Sequence, residues 1–313
     1  MRLLVLFFTL FAVSAAFDIP LIPIPLPLPI KVPEIPLPLN IKDLDPTKLL
    51  KLFTEFMTQF NKVYLNPVAQ SKALAAFSEN AKKIVQFNTA FKDQNVKFGI
   101  NEFSDLTDAE FASRLLQPLP ANSSVFAQPK KAQFSATQYQ NLPASYDWRK
   151  YANIVGPVTS QGSCGCCWAF ATAAVIQSAN GVKGRKLVMP SEQQICDCGK
   201  MDGTSPGCNG GWVKKAMEYA KTKGVSVETS YTSYNPARAT KTYTCDDSNK
   251  PNTLKVSNYK VLSPATETDM QTAIYWHGLI SAAFRVGNSF RHYKSGVITS
   301  NDCDAPDVSS FLI

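Results

Sequence analysis

Histidine is almost missing from this 313-residue chain, which has only His277 and His292. Chemistry that needs an imidazole base therefore has two positions in which to find it. Apolar runs long enough for a membrane are missing as well. Leu3 to Val13 falls well short of the roughly 20 apolar residues that a helical span takes. Arg2 before that run and Ser14-Ala15-Ala16 after it fit a cleaved secretory signal peptide over residues 1–16 better than an anchor. No other segment could span a bilayer. Basic runs are also lacking: the formal charge of +8 is spread along the chain with no interleaved stacking aromatics. That pattern describes a solvated surface and excludes a nucleic-acid partner.

Cysteine is present, eight times, and three of the eight lie in Gln161-Gly-Ser-Cys-Gly-Cys-Cys-Trp-Ala-Phe170. Small residues there give way to an apolar run, Trp168 to Ala179, about three turns of helix, with Asn180-Gly181 as a stop signal. Cys167 then falls in the first turn, where unpaired N–H groups and the macrodipole favour a thiolate. A thiolate is a nucleophile, and it needs a positioned base to form and to protonate a leaving amine. Gln161, just upstream, could donate its amide to a developing oxyanion. Cysteines alone fit a structural disulfide knot as well. A zinc cluster from Cys-x-Cys-Cys and Cys-x-Cys is the weaker alternative in an oxidising compartment, so neither a metal nor a cofactor is expected.

The segment resembles the active-site signature of papain/cathepsin cysteine peptidases. Cys166 departs from the usual Ser or Ala before the nucleophile, and Cys167 is assigned because Trp168 follows it. The resemblance extends to Leu142-Pro-Ala-Ser-Tyr-Asp-Trp-Arg149, Ser191-Glu-Gln-Gln-Ile-Cys-Asp-Cys198, Gly207-Cys-Asn-Gly-Gly211 and Tyr293-Lys-Ser-Gly-Val297. It implies an α+β fold in two halves, a helical one carrying the nucleophile and a β-barrel one. Strand-like runs at Leu254–Leu262, Leu279–Val286 and Gly296–Thr299 begin the barrel half. It also implies the disulfides Cys164–Cys208 and Cys198–Cys245, with Cys303 left for a partner that these residues lack. Cys166 and Cys196 are extras to the family pattern and are expected to bond to each other. Gly210 and Gly211 should pair with an extended peptide substrate. Trp212, Val213 and Ala283 match positions lining the pocket for the residue one removed from the scissile bond, and would favour an apolar or aromatic side chain.

Upstream, proline recurs between Asp18 and Leu39, so residues 17–40 are expected to be polyproline II or disordered. Asp45-Pro46 and Asn66-Pro67 then start two helices. The first presents Leu49, Phe53, Phe56, Phe60 and Tyr64; the second presents Phe77, Asn80, Ile84 and Asn88. Thr107 and Glu110 form a capping box for a third. This unit, residues 41–114, resembles the inhibitory propeptide of papain-like enzymes, with Gly99, Asn101, Phe103 and Asp105 matching its second motif. Ala69 and Ala73 stand where the first motif has Glu and Arg, so one helix salt bridge is missing. Residues 115–141 form a cleavable linker with a glycosylation sequon at Asn122, and residues 142–313 the peptidase part.

The function implied is a papain-like cysteine endopeptidase zymogen, extracellular or lysosomal, acting on polypeptides and holding its own propeptide in the cleft. The family's catalytic His and orienting Asn find no match: His277 reads as a strand start, His292 as a helix-like turn. The chain is accordingly expected to be truncated and inactive, with Val308–Ile313 a tail unrelated to the family. The alternative is a non-catalytic protein whose propeptide-like unit inhibits other papain-like proteases.

Overall fold

Asp45 and Asn66 each accept a backbone N–H from three residues on, and each is followed by proline, so two long helices start at defined points. A computed structural model of the chain describes residues 34–118, 134–140, 142–199, 207–235, 244–248, 253–262, 266–298 and 310–312. The signal peptide, most of the proline-rich segment, Asn122 and Cys303 lie outside the described residues. Helix α1 (Pro46–Gln59) buries Leu49, Leu52, Phe53 and Phe56 against Ala73, Phe77 and Ala81 of α2 (Pro67–Ala90). The Phe77 ring lies 5.4 Å from Phe53 and 5.1 Å from Phe56. Burying each such ring stabilises the unit by about 2–3 kcal/mol. Phe60 and Tyr64 fall outside the helix, because Asn61 turns the chain with φ 49°, yet both still pack on the cluster. The end of the proline-rich segment is anchored too: Ile35 is buried in this core.

The polar residues of the α2 stripe serve the next segment. Asn80 Nδ2 donates to the Ser104 and Leu106 carbonyls, both at 2.8 Å. Asn88 exchanges two bonds with Phe98 of strand β1 (Val96–Phe98). Thr107 and Glu110 close the capping box of α3 (Asp108–Leu115). Where the stripe lacks its Glu–Arg pair, Lys72–Glu110 at 2.8 Å and Lys83–Asp108 at 2.6 Å tie α2 to α3 instead.

In the second unit α5 (Cys167–Val182) is central and packs on α6 (Glu192–Cys198) and α7 (Val213–Thr222). α5 runs past the expected stop at Asn180-Gly181. A Cβ on Gly181 would lie 2.1 Å from the Asn153 carbonyl, so this glycine permits close packing instead of ending the helix. The three expected strand runs are mostly irregular among the described residues. β3 (Val225–Ser226) pairs with β4 (Thr253–Leu254), and the rest of residues 254–262 is not strand. Of residues 279–286 only β5 (Phe284–Arg285) is extended in a ladder, and β6 is Tyr293–Gly296, with 297 and 298 outside it. An extended run becomes strand only where a neighbour completes its hydrogen bonds, and most of these find none among the described residues. His277 is not at a strand start: it ends α8 (Glu267–His277), with Gly278 as cap at φ +97°.

The first unit is sewn to the second by backbone. β1 pairs antiparallel with β6, and β2 (Gln117–Pro118) joins β7 (Ser310–Leu312), which also pairs with β5. The supposed C-terminal tail is thus partly the middle strand of a sheet. Phe111 and Leu115 of α3 share an apolar cluster with Val286, Phe284 and Phe290. Short helix α4 (Ala136–Gln140) is held on α8, where Tyr139 donates to Asp269 at 2.6 Å and Trp276 Nε1 to the Gln138 carbonyl at 3.2 Å. Among the described residues no helix is long and apolar enough to cross a membrane.

Candidate active site

The loop before α5 is fixed from within and from outside. Gly162 takes φ 58°, and Gln161 Nε2 donates to the Cys164 carbonyl at 2.8 Å, closing the turn. Cys164 is bonded to Cys208, and Gly165 N–H donates to the Cys208 carbonyl at 2.7 Å. A Cβ on Gly165 would sit 2.4 Å from that carbonyl, so only glycine lets the two segments approach this closely. Cys166 is the N-cap and Cys167 the first helical residue, 3% exposed. The thiol therefore sits at the positive end of the α5 dipole. Trp168, fully buried, donates to the Gly207 carbonyl at 3.3 Å.

The residues singled out in the sequence come together in part. Gln161 and Cys167 bracket one loop, but the Gln161 amide is turned onto that loop. Gly211 faces Trp168, and a Cβ there would lie 2.2 Å from the indole. Packing on that ring is one reason for this glycine. Trp212, Val213 and Ala283 line one apolar cavity of about 870 Å³, together with Ile176, Met217 and Leu254. A second disulfide joins Cys198 to Cys245. Cys166 and Cys196 are not bonded to each other: both remain buried thiols. Their sulfurs and that of Cys164 lie within 4.8 Å of one another, but Cys164 is already committed to its disulfide, which leaves a poor metal-ligand set.

Some residues of the site were not visible in sequence. Tyr234 donates to the Gln161 carbonyl at 2.6 Å and stands 3.1 Å from Cys166 Sγ, bracing the loop from behind. Its hydroxyl is pushed well above the usual range by burial and by Cys166. Nothing local in Tyr231-Thr-Ser-Tyr-Asn235 signals this role. Arg291 is the other case. It is 7% exposed, with its guanidinium 2.5 Å from Asp108, 2.8 Å from the Leu106 carbonyl and over the Phe111 ring. A cation between Phe290 and Tyr293 was the available clue.

Neither histidine is presented as a base. His292 is 1% exposed, both ring nitrogens lack a hydrogen-bond partner, and its ring faces Phe87 of α2. Burial, then the charges of Arg291 and Lys83, push it down to about 3. His277 stacks on Phe134 with ring centroids 6.0 Å apart, and burial and Lys260 lower it as well.

Residues 142–311 match the family described as papain family cysteine protease, and residues 53–111 match the cathepsin propeptide inhibitor domain. The first match reaches Phe311, which corrects the expectation that Val308–Ile313 is unrelated to the family. Ananain from Ananas comosus is 33% identical over 253 residues, 80% of this chain and 69% of that protein. Pro-cathepsin H from Mus musculus is 32% identical over 252 residues, 80% of this chain and 72% of that protein. Among solved structures, a recombinant stem bromelain precursor superposes with TM-score 0.67 at 30% identity, over 82% of this chain and 78% of that one. Digestive procathepsin L 3 of Tenebrio molitor gives TM-score 0.64 at 25% identity, over 84% and 82%.

Proposed function

Because this chain belongs to the papain family of cysteine proteases and carries that family's propeptide inhibitor domain, we propose that Cys167 is its nucleophile and that the propeptide, residues 41–114, holds the site closed. The observation that carries the assignment is Cys167 at the first position of α5, on a loop pinned by Cys164–Cys208. Of the two adjacent thiols, Cys166 is turned toward Tyr234, behind the loop. In the reaction the Cys167 thiolate attacks the scissile carbonyl. The charge that develops on the carbonyl oxygen is met by N–H groups at the start of α5 and, after it swings from the Cys164 carbonyl, by the Gln161 amide. Collapse of the adduct expels the amine, which must be protonated. The burial and stacking of His292 and His277 leave them unsuited to that step, so the 313-residue chain alone should show at most residual turnover.

Substrate would lie extended along Gly210-Gly211, with Trp212, Val213 and Ala283 selecting an apolar or aromatic side chain at the residue one removed from the scissile bond. What supports the grouping is that these three residues line one cavity. Two disulfides fit entry into the secretory route, with an extracellular or lysosomal destination, and Asn122 would be a glycosylation acceptor there. An electrophilic peptide probe decides the nucleophile. It should label the chain after cleavage of the linker, should still label Cys166→Ser, and should fail on Cys167→Ser; labelling of C167S would overturn the assignment. A second function has its own support, since α1 and α2 enclose a core independent of the peptidase part. Residues 41–120 should then inhibit a papain-like protease in trans, and failure to do so removes that reading.

A further inference from the structure

Three sulfurs outside the nucleophile are packed behind the active-site loop, and the peptidase chemistry uses none of them directly. Cys196, on α6, and Cys166, the N-cap of α5, are both 0% exposed thiols. Cys196 Sγ lies 3.9 Å from Cys164 Sγ. Cys164 is half of a disulfide and carries no hydrogen, so any hydrogen bond in that contact is one that Cys196 donates. Burial shields the group from external oxidants and reductants. An internal exchange needs neither.

We propose that Cys196 is a built-in exchange thiol that opens the Cys164–Cys208 bond. Once deprotonated, Cys196 attacks Cys164 Sγ, the Cys164–Cys196 bond forms, and the Cys164–Cys208 bond breaks. The electron pair leaves on Cys208 Sγ, which takes up a proton in place of the one Cys196 gave up. The number of disulfides is unchanged and no outside redox partner takes part. The consequence is mechanical. With Cys164–Cys208 closed, the loop carrying Cys167 is pinned to the 207–211 segment, whose Gly211 lies against Trp168. With Cys164–Cys196 closed, the loop is tied to α6 and the 207–211 segment is released from its covalent pin. The site would thus have two covalent states, one with its glycine wall fixed and one with it loosened. That consequence rests on Cys167 being the nucleophile, but the exchange itself is decided by a sulfur map that needs no peptidase assay.

The test uses the full chain, held at a series of pH values without reductant, then blocked with N-ethylmaleimide in acid and mapped by mass spectrometry after digestion. Expected is a population with two disulfides in which Cys208 carries the maleimide and Cys164 is linked to Cys196. Its rate of appearance should rise about tenfold per pH unit below the thiol pKa, because the thiolate is the attacking species. Cys196→Ser and Cys196→Ala should both abolish it, while Cys166→Ser should leave it intact. Two results overturn the proposal. One is Cys208 never blocked at any pH in a folded wild-type chain, or blocked equally in C196S. The other is a Cys166–Cys196 bond beside an intact Cys164–Cys208, which would make the pair an ordinary oxidised disulfide.

Discussion

His292 should make docking of the propeptide sensitive to mild acid, and replacing it with phenylalanine should remove that sensitivity. The ring is enclosed where the two units meet. Its own carbonyl accepts the Gly99 N–H at 2.8 Å, and Phe87 of α2 covers its ring. Docked, it stays neutral down to about 3, chiefly because it is buried, with Arg291 and Lys83 also opposing its charge and Asp108 favouring it too weakly to win. Released, it regains an ordinary value near 6.5. The docked state therefore binds fewer protons below that value, and docking weakens as pH falls from 6.5 toward 3. At pH 5 the gap of about 1.5 units corresponds to roughly 2 kcal/mol, or a factor of about 30 in the docking equilibrium. Hydrogen exchange reads this directly, since the Gly99 and Val297 amides are both bonded across the interface. After correction for the intrinsic pH dependence of exchange, wild type should lose protection at these amides between pH 7 and 5, and His292→Phe should not. At pH 7 the variant should be the better protected, because it removes two buried, unpartnered nitrogens. Parallel loss of protection in both proteins would refute the assignment of acid sensitivity to this ring.

Four further outcomes are expected. Arg291→Met strips Asp108 and the Leu106 carbonyl of a buried donor and should weaken docking by about 2 kcal/mol, seen as faster cleavage of the linker by an added protease. Asn80→Ala removes both bonds to the 104–106 turn and should destabilise the propeptide by about 2 kcal/mol in urea denaturation, with α1–α2 packing intact. Gly211→Ala drives a methyl into the Trp168 ring and should cost about 1–3 kcal/mol, with an altered near-ultraviolet circular dichroism band. Glu110 is held at about 2 by its bond from Lys72 and then by the Thr107 amide. Glu110→Gln should therefore lower the melting temperature at pH 7 by a small amount, and the difference should vanish as pH falls from 4.5 toward 2.

What could be read from sequence divides along a physical line. Helix starts were legible because a cap is a local event: Asp45, Asn66 and Thr107 each bond a backbone N–H three residues away. The asparagine stripe and the nucleophile helix were legible from spacing. The strands were not, because a ladder needs a partner that composition cannot place. Tyr293–Gly296 is strand since Val96–Phe98 lies beside it, and residues 255–262, equally apolar in pattern, are not. His277 and Gly278 looked like a strand entry for the same reason, although a glycine directly after a run with a Thr266–Asp269 capping box is a helix ending. Pairing of Cys166 with Cys196 followed from counting leftover thiols. The folded chain instead places Cys196 against a disulfide, a neighbour that counting cannot supply.

The contacts across the two units also show why one short turn governs their union. Phe290–His292 supplies an apolar ring to the α3 cluster, a cation to Asp108 and two carbonyls, Arg291 to Asn101 and His292 to Gly99. Its titrating partners act in sequence and in the same direction. His292 opposes docking once pH drops below 6.5. Burial raises Asp108, but Lys83 and Arg291 outweigh it and hold the carboxyl below its usual 3.8, so the ion pair survives until the medium is more acidic still. Through the mildly acidic range the histidine therefore loosens a contact that the carboxylate continues to align. The acid response is thereby confined to the seam, because the core of α1 and α2 is built from apolar side chains and Tyr64, none of which titrates in this range.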